Sequence, residues 1–229
     1  MTPRGVELIR LEDDEDVASA VADELAAAVR GGLEIVLTGG TTPSRAYELA
    51  AEREPDWSKA SVWWGDERCV PPEDERSNYR LARERLLDRL SSPPRSVQRI
   101  RGELGAEAAA EEYDRALVGV RLDLVLLGVG PDGHTASLFP GEPTLDERSL
   151  RAIPAEAKLD PFVERVTMTV PALCSAPDVL FVVTGEAKAE ALERAFGRPP
   201  DRETPASLIR SESGRTRVVA DAAAASRLD

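Results

Sequence analysis

The sequence predicts an α/β fold, with a mostly parallel sheet covered by helices on both faces in a three-layer α/β/α sandwich. Strand-like and helix-like segments alternate nearly throughout the 229 residues, and this alternation is typical of parallel sheets. Two segments, LEIVLT (33–38) and the apolar stretch that begins at Leu122, are apolar enough for strands buried on both faces. Because we find no internal repeat or linker, we expect a single domain over residues 1–229.

The first elements follow from apolar spacing and from the residues that stop helices. VELIRL (6–11) is typical of an edge strand, and residues 13–30 carry an apolar stripe at four-residue spacing that predicts a helix. Two glycines end that helix before the strand at 33–38. A tight turn of two glycines and two threonines follows. Pro43 and Ser44 then start the next helix, because proline suits a first turn.

The middle of the chain mixes regular and irregular segments. SVWW (61–64) predicts a strand, and a charged turn over residues 65–68 follows it. Helices are expected from Ser77 and over 106–117. Residues 142–161 are rich in proline and charge, so they form the only plausible excursion from the main sheet.

The last third of the chain returns to alternating strands and helices. RVTMTV (165–170) has the alternation of a strand, and residues 179–184 are typical of another buried strand. A helix is predicted over 186–196 and a strand over 216–221. A short alanine-rich helix is expected after that last strand.

Composition disfavours several classes of function. The formal net charge of −13 disfavours binding to nucleic acid or to an anionic membrane. No apolar run is long enough to span a bilayer and the N-terminus lacks a signal pattern, so we expect a cytoplasmic monomer or weak homo-oligomer. Cys69 and Cys174 are expected to be free thiols. No metal site is predicted, because the chain has one histidine and its cysteines lack ligand spacing.

The only histidine, His134, lies on a glycine-rich turn that follows the predicted strand after Leu122. In open α/β sheets ligands bind outside the carboxyl ends of the strands, and imidazole is the usual general base near neutral pH. His134 is therefore a catalytic candidate, with an incidental histidine on a surface loop as the alternative. A dinucleotide site is disfavoured, because Pro131 and Asp132 occupy the place of the pyrophosphate.

Three other loops carry polar residues suited to an anion. The turn Gly39–Thr42 precedes a helix N-terminus, where backbone N–H groups and the helix dipole favour negative charge. Asp66 and Arg68 follow an apolar strand, and the guanidinium of Arg68 can bind a phosphate. Lys188 lies in the first turn of a helix, against the dipole, which is easier to understand if it faces an anion. The alternatives are an ordinary connection and solvated surface charges.

Five segments together resemble the 6-phosphogluconolactonase family. They are TGGTTPSRAYELA, WWGDERCVPPEDERSN, LGVGPDGHTASLFPG, ERVTMTVPAL and TGEAKAEAL, and they cover most of the chain in the family's order. The resemblance implies the fold shared by glucosamine-6-phosphate deaminases and ribose-5-phosphate isomerases. It also implies cofactor-free hydrolysis of 6-phosphoglucono-δ-lactone to 6-phosphogluconate, in the oxidative pentose phosphate pathway.

The resemblance also implies roles for individual residues. His134 would be the base that activates water, Asp66 its acidic partner in shaping the site, and Arg68 and Lys188 the residues that hold the phosphate. The remaining residues expected to contact or line the substrate are Gly39, Gly40, Thr41, Gly130, Asp132, Gly133 and Arg165. Cys69 departs from the family pattern, in which an aromatic residue is expected after DER.

Two other functions and one mechanistic choice stay open from sequence alone. A deaminase that acts on glucosamine-6-phosphate is disfavoured, because that family has a glutamate five residues after the histidine and this chain has Phe139. A non-catalytic sugar-phosphate sensor would not need His134. The developing oxyanion could be stabilised by backbone N–H groups of the glycine turn or by Arg68.

Overall fold

The computed structural model describes residues 5–228. Its strands are β1 (Val6–Leu11), β2 (Glu34–Leu37), β3 (Ser61–Trp64), β4 (Asp66–Arg68), β5 (Ser96–Gln98), β6 (Leu124–Leu127), β7 (Ala152–Ala155), β8 (Arg165–Met168), β9 (Asp178–Val183) and β10 (Arg215–Asp221). Its helices are α1 (Asp14–Arg30), α2 (Thr41–Arg53), α3 (Asn78–Arg85), α4 (Ala106–Leu117), α5 (Val170–Cys174) and α6 (Ala189–Phe196). None of the helices within the described residues combines the length and apolar character that a membrane crossing needs.

A seven-stranded sheet of order β1-β10-β9-β6-β2-β3-β5 forms the centre of the molecule, and its strands pair in parallel. Every residue of β3 and β6 is buried. Because successive side chains of a strand point to opposite faces, complete burial means that both faces are covered. The predicted fold class is therefore confirmed. β1 lies at the edge of the sheet, as its sequence indicates.

A second, antiparallel sheet of order β4-β8-β7 lies beside the first and was not predicted. The charged turn expected at 65–68 is wrong, because Asp66–Arg68 is a strand paired with β8. RVTMTV was expected in the main sheet, but its first four residues form β8 and Val170 begins α5. The irregular region 142–161 is indeed the excursion, since it contributes β7. Short strands made of charged residues carry little local signal.

Two predicted helices are also corrected. The helix expected from Ser77 ends at Arg85, and a 3-10 turn at Leu87–Arg89 follows it. The alanine-rich helix expected after β10 is a series of turns. Alanine has the highest helix propensity, but tertiary packing can override propensity, and Ala224 and Ala225 are buried in the core.

The strand order creates a crevice between β2 and β6. The chain leaves β2 toward β3 and leaves β6 toward β9, in opposite directions along the sheet. The place where the strand order changes direction is called a topological switch point. The loops that follow its two strands diverge there, and ligands of open α/β sheets bind between them. These two loops are residues 38–40 and the turn that carries His134. The predicted turn is thus shorter than expected, because α2 begins at Thr41 rather than at Pro43.

The first turns of α1 and α2 differ in how their N–H groups are satisfied. Asp13 caps α1 by accepting from the Asp16 N–H at 2.9 Å, and three acidic residues occupy its first turn. The N-cap of α2 is Gly40, which offers no side-chain acceptor, and no acidic residue lies in the first turn. The N-terminus of α2 therefore keeps its attraction for an anion.

A buried arginine joins the outer strands of the sheet to α1, and we expect it to be a major contributor to stability. Arg217 is only 3% exposed, and its guanidinium bonds Glu24 at 2.5 Å and Asp178 at 2.8 Å. Arg217→Ala leaves both carboxylates partly buried without this partner, so the free energy of unfolding should fall by about 3 kcal/mol. Urea unfolding measures the change.

Arg215→Ala is the matched control, because Arg215 is exposed and also bonds Asp178. This substitution should lower the free energy of unfolding by less than about 1 kcal/mol. Equal losses in the two variants would contradict the prediction.

Candidate active site

A cleft with a cavity volume of about 210 Å³ opens at the switch point between β2 and β6. Its wall includes most of the residues singled out from the sequence. These are Gly39, Gly40, Thr41, Asp66, Arg68, Gly130, His134, Arg165 and Lys188. Two further candidates, Asp132 and Gly133, lie in the histidine turn but do not line the cleft. The cleft therefore brings together residues from five separate parts of the chain.

His134 faces the cleft and is oriented by the carboxylate two residues before it. Its Nδ1 lies 2.6 Å from Asp132 Oδ1, and its backbone N–H donates to the same oxygen at 3.1 Å. Because an ionised carboxylate only accepts hydrogen bonds, this contact places the imidazole proton on Nδ1 and leaves Nε2 with a free lone pair. The local Asp132 contact therefore prepares Nε2 as a base.

The charge of Asp132 is maintained by the same contact. Burial raises the pKa of Asp132, but hydrogen bonds from His134 and the nearby imidazole outweigh burial and bring the pKa below its usual value. A carboxylate that stays ionised can stabilise the imidazolium formed when His134 takes a proton.

Gly130 leaves the space that the imidazole occupies, and we expect its replacement to disable His134. A Cβ built on Gly130 would lie 2.0 Å from His134 Nδ1, far inside contact distance. Gly130→Ala should therefore displace the ring and lower kcat about 10²-fold, although every polar side chain of the site is retained. Gly128→Ala is the control, because a Cβ there meets nothing within 4 Å. Full activity of Gly130→Ala would show that the ring position is unimportant.

Three cations line the cleft without a carboxylate partner among residues 5–228. Arg68 donates to the backbone carbonyl of Arg76, and Arg165 donates to the carbonyls of Leu159 and Pro161 at 3.3 and 3.2 Å. Lys188 forms no ion pair within that range. Burial lowers the pKa of Arg165 and of Lys188, while the charges of Asp66 and Asp132 partly oppose the effect. Unpaired, partly desolvated cations are suited to an anionic ligand.

Phe139 connects the histidine to one of these cations. Its ring is buried and lies 4.9 Å from the imidazole, centroid to centroid. The Arg165 guanidinium carbon lies 5.6 Å from the centroid of the same ring, within the range of cation–π attraction. Arg165 and the imidazole therefore pack on the same ring, and this apolar ring fills the position at which the deaminase family has its glutamate.

Asp66 is held by residues that sequence analysis did not single out as site residues. Its Oδ2 accepts from Ser137 Oγ at 2.6 Å, and its Oδ1 accepts from the Asn78 side-chain amide at 3.1 Å. Asp66 thus contacts the histidine turn through Ser137, whereas the carboxylate bonded to His134 itself is Asp132. The short Asp–x–His spacing could have indicated the latter contact. Nothing local in the sequence pairs Asp66 with Ser137.

The departure at Cys69 lies beside the site rather than in it. The Cys69 N–H donates to the Glu164 carbonyl at 2.8 Å, and the residue does not line the cleft. Burial raises the pKa of the Cys69 thiol to about 11, so the thiol stays protonated at neutral pH. Both cysteines are free, as predicted. Within residues 5–228, no group of three His, Cys, Asp or Glu side chains is arranged to hold a metal ion.

Comparison with known proteins agrees with the resemblance seen in the sequence. Residues 12–218 match the family described as glucosamine-6-phosphate isomerases/6-phosphogluconolactonase. The chain belongs to this family. It is 39% identical to the 6-phosphogluconolactonase of Homo sapiens over 211 residues, which cover 87% of this chain and 82% of that protein. The family predicted from the sequence is thereby confirmed.

Solved structures of the family share the fold closely. The crystal structure of 6-phosphogluconolactonase from Thermotoga maritima superposes with a TM-score of 0.82 at 30% identity, covering 94% of this chain and 99% of that one. A monomeric glucosamine-6-phosphate deaminase superposes with a TM-score of 0.86 at 20% identity, covering 96% of this chain and 99% of that one. This second likeness concerns the fold alone, so the site residues must decide between the two activities of the family.

Proposed function

We propose that this protein hydrolyses 6-phospho-D-glucono-1,5-lactone to 6-phosphogluconate. The observation that carries the proposal is the meeting, in one cleft, of the His134–Asp132 pair with three cations that lack carboxylate partners. A general base beside a binding site for a dianion fits a phosphorylated lactone. The family membership supports the same activity.

In the proposed reaction His134 acts first as base and then as acid. Nε2 takes a proton from water as its oxygen attacks the lactone C1 carbonyl. The tetrahedral intermediate then collapses, the bond between C1 and the ring oxygen breaks, and the imidazolium returns the proton to that oxygen. Asp132 stabilises the imidazolium between the two steps. The new carboxylic acid loses its proton to water at neutral pH.

The phosphate end of the substrate is assigned to Lys188, Arg68 and the N-terminus of α2. Lys188 and Arg68 line the same cleft as the first-turn residues Thr41 and Thr42. The uncapped N-terminus of α2 adds N–H donors and partial positive charge. Holding the remote phosphate fixes the carbonyl near His134, so binding energy is converted into orientation.

The developing oxyanion is assigned to Arg165. The N–H groups of Gly130 and Gly133 already donate within the turn, to the carbonyls of His134 and Gly130 at 2.8 and 3.0 Å, so these two glycines offer no free donor. Arg165 packs on the same Phe139 ring as the imidazole. A buried cation that lines the same cleft as the base can stabilise charge that appears only in the transition state.

A deaminase would need an acid at the position of Phe139, and this buried ring cannot transfer protons. A sugar-phosphate sensor would bind its ligand without turnover.

The test of the proposed function measures acid release from freshly made 6-phosphogluconolactone above its spontaneous hydrolysis. Acceleration by the wild-type protein supports the proposal. Ligand-induced stabilisation without acceleration would point to the sensor, and ammonium release from glucosamine-6-phosphate would point to the deaminase. The cytoplasmic location and the oligomeric state stay predictions.

We expect phosphate binding to weaken as pH rises toward the ordinary range of lysine titration. Burial lowers the pKa of Lys188, and the charge of Asp132 opposes this only partly. Lys188 is protonated below this lowered pKa and loses its charge as pH rises through it, earlier than an exposed lysine would. The affinity for 6-phosphogluconate, measured by calorimetry, should fall over that interval. Lys188→Arg is the control, because guanidinium stays charged there, and an equal fall in this variant would contradict the assignment.

A further inference from the structure

Asn78 is a buried polar residue in the wall of the cleft, and it has no role in the proposed mechanism. It is the first residue of α3, is 2% exposed, and lines the cleft. A buried amide normally has all its hydrogen-bonding atoms satisfied. The bonds of Asn78 therefore indicate what its side chain faces.

The orientation of the Asn78 amide is fixed by the hydrogen-bonding capacity of its partner atoms. Its Nδ2 donates to the Asp66 backbone carbonyl at 3.0 Å and to Asp66 Oδ1 at 3.1 Å. Both partner atoms only accept hydrogen bonds, so the nitrogen must face Asp66 and Oδ1 must face away. Among the described residues no donor bonds Asn78 Oδ1, which leaves an acceptor oxygen on the cleft wall.

The backbone around Asn78 is held rigidly by another buried carboxylate. Glu67 accepts from the backbone N–H groups of Asn78 and Tyr79 at 2.7 and 2.8 Å and from Ser77 Oγ at 3.0 Å. These bonds fasten the start of α3 to β4. The position of the Asn78 side chain is thus set independently of any ligand, as expected of a preformed binding group.

Gly39 provides the space that the amide oxygen occupies. A Cβ on Gly39 would lie 1.9 Å from Asn78 Oδ1. The oxygen therefore lies directly against Gly39, which lines the cleft. Beside it lies Asp66, a second acceptor whose carboxylate is clamped by Ser137 and Asn78.

We propose that Asn78 is a specificity-determining residue whose Oδ1 accepts a hydrogen bond from a ring hydroxyl of the substrate, next to the acceptor Asp66. The inference rests on the proposed function, since the hydroxyl belongs to a sugar lactone. Ring hydroxyls are donors, and two fixed acceptors side by side recognise them. A substrate that lacks the hydroxyl would leave Asn78 Oδ1 unpaired, so the site would reject it.

The test compares 6-phosphogluconolactone with its 2-, 3- and 4-deoxy analogues in the wild type and in Asn78→Ala. The wild type should disfavour at least one analogue about tenfold in kcat/KM, as one neutral hydrogen bond allows, and Asn78→Ala should lose most of that discrimination. A merely structural role would slow all four lactones in proportion. Glu84→Ala, on the exposed face of the same helix, is the matched control and should leave discrimination unchanged.

A second variant keeps the proposal testable if Asn78→Ala folds poorly. Gly39→Ala removes no polar atom, but its methyl displaces Asn78 Oδ1, so it should reduce the same discrimination. Undiminished discrimination in either folded variant overturns the assignment of Asn78 alone. A wild-type protein that neither turns over the lactone nor binds 6-phosphogluconate overturns the proposed function and this inference with it.

Discussion

His134→Ala should lower kcat for 6-phosphogluconolactone by about 10²–10⁴-fold, the usual contribution of a positioned general base. KM should change little, because the proposed phosphate contacts are with Lys188, Arg68 and α2 rather than with the imidazole. The measurement is acid release at saturating lactone, corrected for spontaneous hydrolysis. The Nδ1–Asp132 contact at 2.6 Å is the physical reason, since it leaves Nε2 as the free base.

Two controls separate this effect from damage to the fold. Affinity for 6-phosphogluconate should persist in His134→Ala. Asp132→Asn should also lower kcat strongly, because an amide can donate to Nδ1 and so favours the tautomer in which Nε2 carries the proton. Activity of His134→Ala within a few-fold of wild type would exclude His134 as the base.

Lys188→Ala should lower kcat/KM by about 10–100-fold, since a hydrogen bond to a charged group contributes about 1.5–3 kcal/mol. Most of the loss should appear in KM, because the proposed contact of Lys188 with the phosphate is the same in the ground state and in the transition state. The decisive comparison uses glucono-1,5-lactone, which lacks the phosphate. Its slower hydrolysis should be the same in wild type and Lys188→Ala. An equal loss on both lactones would place Lys188 at the reacting end instead.

The parts of the fold and site that could be predicted are those with local signals. Apolar runs and helix stripes locate the strands of the main sheet, and the rule that ligands bind beyond parallel strand ends brings Gly39–Thr42, Asp66 and His134 together in one cleft. Lys188 could be singled out because its charge opposes the helix dipole. Each of these inferences needs only a short stretch of chain and a general rule.

The unpredicted parts depend on pairing between distant residues. β4 is three charged residues long and becomes a strand only because β8, almost a hundred residues later, pairs with it. Ser137 and Asn78 gain their roles only through Asp66, which neither of them adjoins in sequence. Arg165 and the imidazole share one ring, Phe139, and no spacing rule gives such an arrangement.

The pairing of the first strand with the last has a consequence for synthesis on the ribosome. β1 lies at the sheet edge and joins the sheet through β10, with Val6 opposite Thr216. At about 5–20 residues per second, β1 emerges roughly 10–40 s before its partner exists. During that interval the central strands around His134 can already pair and α1 can pack on α2, whereas β1 has no neighbouring strand. The edge strand of the main sheet is therefore added only after β10 has been made, so its unpaired backbone is exposed in the nascent chain.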